Sequence, residues 1–304
     1  MDEFEFDGTR IAYLRQGEDG PPVLMLHNAG SSHLIWMPQL TALARNHRVY
    51  ALDLPGYGSS DRPAAGYTLE RYTELVREFV IRHELSGIGL VGNCLGAAIS
   101  LTLARREPGL VRAVVAINPL TENTAMHGDL GLAARATRAL PDFGARVLGG
   151  WHTPQWFART TIRTWFSSGR AYRECPYVTP LAAGFPARAL VGLVRDLDSF
   201  AALDDWPDRD ALPPVCTIWG TENRILSAAA GRTVNAALRP ERAEWLDGCG
   251  HVAMLERAPE VTAIVTEFFA AHLSPAVPAP VAAESRTAPS AYGHTRGTDW
   301  TTAR

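Results

Sequence analysis

The 304 residues include no lysine; all 29 basic residues are arginine. Such complete replacement of one cation by the other reads as coding bias toward a GC-rich genome, not as a functional choice. It also rules out a Gly-x-x-x-x-Gly-Lys phosphate loop, and the His27-x-x-Gly30 step is no dinucleotide fingerprint. Cysteine is scarce: Cys94, Cys175, Cys216 and Cys249 are spaced for neither a zinc site nor a disulfide framework. No apolar run reaches membrane-spanning length. The acidic start Met1-Asp2-Glu3-Phe4-Glu5-Phe6 lacks the cationic flank and apolar stretch of a secretion signal. A cytoplasmic setting is the expectation, where cysteines stay free thiols. A net charge of −3 gives no global pull toward nucleic acid. Neither a nucleic acid nor a membrane is expected as a partner, and no internal repeat is visible.

What is present is 46% hydrophobic and 20% charged, enough for a large α/β domain. Strands are expected over 10–14, 23–27, 49–53, 88–91, 111–117, 215–219 and 243–246. Leu69, Tyr72, Leu75, Val76, Phe79 and Val80 recur at helical spacing, which predicts a helix over 69–84. Another helix stops before Pro108, and a last one covers 261–272. This βαβα rhythm predicts a mostly parallel sheet with helices on both faces. Between 119 and 205 the rhythm breaks. Trp151, Trp156 and Trp165 lie there, with Trp206 just past the edge, and from 131 to 195 there are nine arginines against two acids, Asp142 and Glu174. An inserted helical cap is expected over 119–205, with the core in 1–118 and 206–273. Residues 274–304, rich in Pro, Ala, Ser and Thr, are expected to form a disordered tail.

The chemistry concentrates at Gly92-Asn93-Cys94-Leu95-Gly96, between the apolar runs 88–91 and 97–104. Strand, sharp turn and helix make a nucleophile elbow, here with cysteine at its centre. Three further motifs follow the same plan: Leu26-His27-Asn28-Ala29-Gly30-Ser31-Ser32, Asp53-Leu54-Pro55-Gly56-Tyr57-Gly58-Ser59-Ser60, and Gly248-Cys249-Gly250-His251. With all four in order, the chain resembles the α/β-hydrolase superfamily from about residue 4 to residue 273.

That resemblance implies an α/β-hydrolase fold and assigns roles. Cys94 would be the nucleophile, with the helix N-terminus favouring its thiolate. His251 would carry the proton. The backbone N–H groups of Ala29 and Leu95 would hold the oxyanion. The family's usual aspartate position is occupied by Asn223, in Gly220-Thr221-Glu222-Asn223. An asparagine that only orients the ring suits a thiolate–imidazolium pair, as in papain-like Cys-His-Asn sites. Glu222, Glu122 and Asp247 stay open as alternative carboxylates. His27 is expected to brace the early loop, Asp53 to cap its turn, and Cys249 to pack.

A cysteine nucleophile makes a thioester, which keeps the transfer potential of a thioester donor. This favours moving an acyl group between thiols, or onto an amine, over plain hydrolysis. The elbow is similar to a superfamily branch that moves aminoacyl groups between carrier-protein phosphopantetheine arms in nonribosomal peptide assembly. The resemblance implies an acyltransferase of secondary metabolism, acting on an acyl thioester and docking an acidic phosphopantetheinylated carrier protein through the arginine-rich cap. No metal or organic cofactor is called for. The alternatives are a cysteine-dependent hydrolase (a thioesterase, esterase or lactone hydrolase) and a non-catalytic receptor of the same fold.

Overall fold

The computed structural model describes residues 1–139 and 153–273. Trp151, Asp142 and the 274–304 tail lie outside the described residues. Eight strands form one sheet: β1 Asp2–Phe6, β2 Thr9–Gln16, β3 Pro22–Leu26, β4 Arg48–Leu52, β5 Ile88–Asn93, β6 Val111–Ile117, β7 Val215–Gly220 and β8 Arg242–Leu246. Their order is β1-β2-β4-β3-β5-β6-β7-β8. β1 and β2 pair antiparallel with their neighbours, and every pair from β4 to β8 is parallel. The fold is that of an α/β hydrolase.

β1 is an addition to the expected strands. Its acidic residues face solvent while Phe4 and Phe6 point inward, and that period of two is what a one-sided edge strand needs. The central strands β3 and β5 are buried along their whole length, as helices on both faces require. The helix Leu69–Arg82 starts at a Thr68 cap and buries the apolar stripe seen in its sequence. The last helix, Ala258–His272, starts three residues before the expected 261 because Pro259 suits a first turn.

Between β6 and β7 the described residues form short helices and no strand, among them Glu122–Met126, Asp129–Arg138, Gln155–Arg163, Gly169–Glu174, Val178–Ala183 and Ala187–Arg195. Trp165 and Phe166 are buried there, whereas Trp156 and Phe157 are exposed. No helix among the described residues is long and apolar enough to cross a membrane.

Candidate active site

Parallel strands end on one side of a sheet, and that is where the site gathers. β5 runs through Asn93 into Cys94, which opens the helix Leu95–Arg106 in a backbone conformation that side chains rarely adopt, φ 54°, ψ −108°. Two glycines make this turn possible. A Cβ on Gly92 would run into the Gly96–Ala97 backbone, and one on Gly96 into the Leu26 carbonyl.

The early loop after β3 is tied to itself. The His27 Nε2 accepts from Leu54 N–H (3.0 Å), so its Nδ1 carries the proton and donates to Asn28 O (2.8 Å). Asn28 Oδ1 accepts from the Ser31 hydroxyl (2.7 Å). His27 is therefore a brace, with burial pushing its pKa down to about 4. Asp53 is a turn anchor: it accepts from His33 N–H (2.7 Å) and Ser59 N–H (2.8 Å). Together they hold Ala29 opposite the elbow. The backbone N–H groups of Leu95 and Ala29 both act on the Cys94 sulfur and favour its thiolate.

His251 is 1% exposed and Asn223 7%. Asn223 Oδ1 accepts from Ile225 N–H (3.1 Å) and Leu226 N–H (3.2 Å). Backbone N–H groups only donate, so this atom is the oxygen and not the amide nitrogen. The same oxygen stands 3.2 Å from His251 Nδ1. Nδ1 must then carry the ring proton, which leaves Nε2 as the free base. The Asn223 amide nitrogen is buried with no partner. Glu222 and Asp247 are exposed, and Glu122 sits at the start of its own helix beside Asp198 and Asp204. Among the described residues, Asn223 is the side chain on the ring.

Burial works against the thiolate that the helix N-terminus favours. Burial pushes the Cys94 thiol up to about 12 and the His251 imidazole down to about 3. The two N–H groups and the helix N-terminus do not outweigh this desolvation. Desolvation therefore favours a neutral thiol and a neutral imidazole over a thiolate–imidazolium pair. Among the described residues the sulfur makes no hydrogen bond to the ring, whose Nδ1 faces Asn223.

Three supporting residues escaped the sequence reading. The Trp165 carbonyl accepts from His251 N–H (2.7 Å), and its indole covers Gly30 of the early loop. Glu256 accepts from Gly250 N–H (2.8 Å) and Ser167 N–H (3.0 Å), stapling the histidine loop to the segment after Gln155–Arg163. Asn118, one residue past β6, reaches both the histidine loop and β7. The signal in the sequence was no more than a polar residue at a strand end. Cys249 is fully buried, as packing requires. No group of His, Cys, Asp and Glu among the described residues could hold a metal ion.

A family model described as the alpha/beta hydrolase family matches residues 23–264. The chain belongs to the α/β-hydrolase family. It is similar to 2-(acetamidomethylene)succinate hydrolase of Mesorhizobium japonicum, 30% identical over 82% of this chain and 87% of that protein. It is also similar to the dihydrolipoyllysine-residue acetyltransferase component of the acetoin cleaving system of Cupriavidus necator, 24% identical over 86% of this chain and 67% of that protein. Among solved structures it resembles the enol-lactonase of Burkholderia xenovorans, with a TM-score of 0.69 at 22% identity over 88% of this chain and 100% of that one, a likeness of fold.

Proposed function

We propose that this α/β hydrolase is a cysteine-dependent acyltransferase that moves an acyl or aminoacyl group from a thioester donor, through a Cys94 thioester, to a second thiol or an amine. The observation that carries the reading is the sulfur at the centre of the elbow, where β5 meets the helix Leu95–Arg106, with a neutral asparagine behind the histidine.

The donor carbonyl oxygen takes the Ala29 and Leu95 N–H groups and displaces the sulfur toward His251 Nε2. The S–H proton passes to Nε2 as the S–C bond forms. The tetrahedral oxyanion collapses, the bond to the leaving sulfur breaks, and the Nε2 proton goes to that thiolate. The acceptor repeats the steps in reverse. Because burial disfavours both charged forms at rest, proton transfer accompanies attack, and imidazolium exists only while the acyl group is in transit. Asn223 needs only to hold the ring in the Nδ1–H form.

Water exclusion decides transfer against hydrolysis. Cys94 is 3% exposed, which suits transfer. An acidic carrier protein is the proposed donor. Arg159 and Arg163 bond to neutral oxygens, of Thr179 and Phe166, and so keep their charge for a partner. The second reading is hydrolysis, favoured by the likeness to 2-(acetamidomethylene)succinate hydrolase. The test is product partition with an acyl thioester and a competing thiol. Transfer should exceed release of free acid, and Cys94→Ser should lose thiol-to-thiol transfer. Undiminished transfer in Cys94→Ser overturns the reading.

A further inference from the structure

The exit of β6 is hydrogen-bonded to the elbow on one side and to β7 on the other. Cys94 N–H donates to Ile117 O (3.0 Å), and Leu120 N–H donates to Cys94 O (3.3 Å). Asn118 N–H donates to Ile218 O of β7 (2.8 Å). The Asn118 side chain then spans the remaining gap. Its Oδ1 accepts from Gly220 N–H (3.0 Å), at the root of the loop that carries Asn223. Its Nδ2 donates to the carbonyl of His251 itself (3.0 Å). One partner only donates and the other only accepts, so both amide atoms are fixed in place.

We infer that Asn118 is a positioning residue for acyl transfer: it locks the Asn223 loop and His251 in register with each other and with Cys94. Its backbone supports this. Asn118 is fully buried with φ 44°, in the left-handed region that asparagine tolerates better than most residues. That turn directs the side chain across the strand ends toward β7 and β8. A residue serving the turn alone would need no amide, and a side chain filling space alone would need no polar atoms in so dry a place. The Asn223 Oδ1–His251 Nδ1 contact belongs to two separate loops, and Asn118 is hydrogen-bonded to both.

This inference rests on the acyl-transfer reading, and its test separates the two. Loading of Cys94 from an acyl thioester is followed in single turnover, per site counted by thiol titration, in Asn118→Ala, Asn118→Gly and Asn118→Asp. Glycine relieves the left-handed backbone but removes both bonds, and aspartate keeps an acceptor for Gly220 N–H. Loading should fall roughly 10- to 100-fold in both Ala and Gly, as for other groups that orient a working histidine. The Asp variant should lie between them and wild type, with the substrate concentration for half-maximal rate within about twofold throughout. Melting temperatures and titrated sites separate folded fraction from rate. If Asn118→Gly loads like wild type, the residue serves only the turn and the inference falls alone. If the variants differ from wild type only in titrated sites, it also falls. If wild type never loads, the acyl-transfer reading falls with it.

Discussion

His251 Nδ1 stands 3.2 Å from an Asn223 oxygen that also accepts from two backbone N–H groups. That geometry fixes the ring tautomer without any charge. An aspartate there would fix the same tautomer and stabilise the imidazolium as well. The stranded Asn223 amide nitrogen costs about 1–3 kcal/mol by ordinary desolvation.

Restoring the charge should suit an oxygen nucleophile. The double variant Cys94→Ser with Asn223→Asp is expected to hydrolyse an activated ester at least about tenfold faster than Cys94→Ser alone. Initial rates over a range of pH check this. In Asn223→Asp the acid limb should lie at higher pH, because the new carboxylate raises the histidine pKa.

Neutral resting partners predict how the thiol meets iodoacetamide. The alkylation rate of Cys94 should climb about tenfold per pH unit from 7 to 10 without a plateau, following a thiol pushed up to about 12. A flat rate between pH 5 and 8 would mean a preformed ion pair.

Two buried histidines set the acid response. His251 is pushed down to about 3 and His27 to about 4, both below the ordinary value of 6.5. The folded chain therefore binds fewer protons than the unfolded one across this window. Their neutral forms are fully favourable above about pH 6.5, and stability is lost as pH falls from there toward 3. Urea midpoints at descending pH should show this decline, and His251→Gln should flatten it.

The Glu256 staple gives a stability prediction. Glu256→Ala strands the Gly250 N–H and loosens the Ser167 segment, which should cost about 1–3 kcal/mol. Thermal melting reads the loss. Glu256→Gln keeps an acceptor and should recover part of it.

Much of the sheet was legible because buried strands and the helix Leu69–Arg82 carry their burial in local periodicity. β1 escaped because three of its five residues are acidic and face water. At the site, Cys94, His251 and Asn223 were visible as motifs, since each sits in a turn with a local signature. Asn118, Glu256 and Trp165 were not, because they act on residues 133, 6 and 86 positions away through backbone groups that no side-chain pattern announces. The desolvation at Cys94 was not legible either: a helix N-terminus is visible in sequence, whereas the burial that opposes it is set by the whole packed site.

The decisive measurement is the intact mass of the protein after mixing with an acyl thioester, with peptide mapping of the adduct. One acyl group on Cys94, absent in Cys94→Ala and discharged by an added thiol, is the predicted result. Turnover of the thioester with no adduct on Cys94 at any time, or turnover that persists in Cys94→Ala, would contradict it.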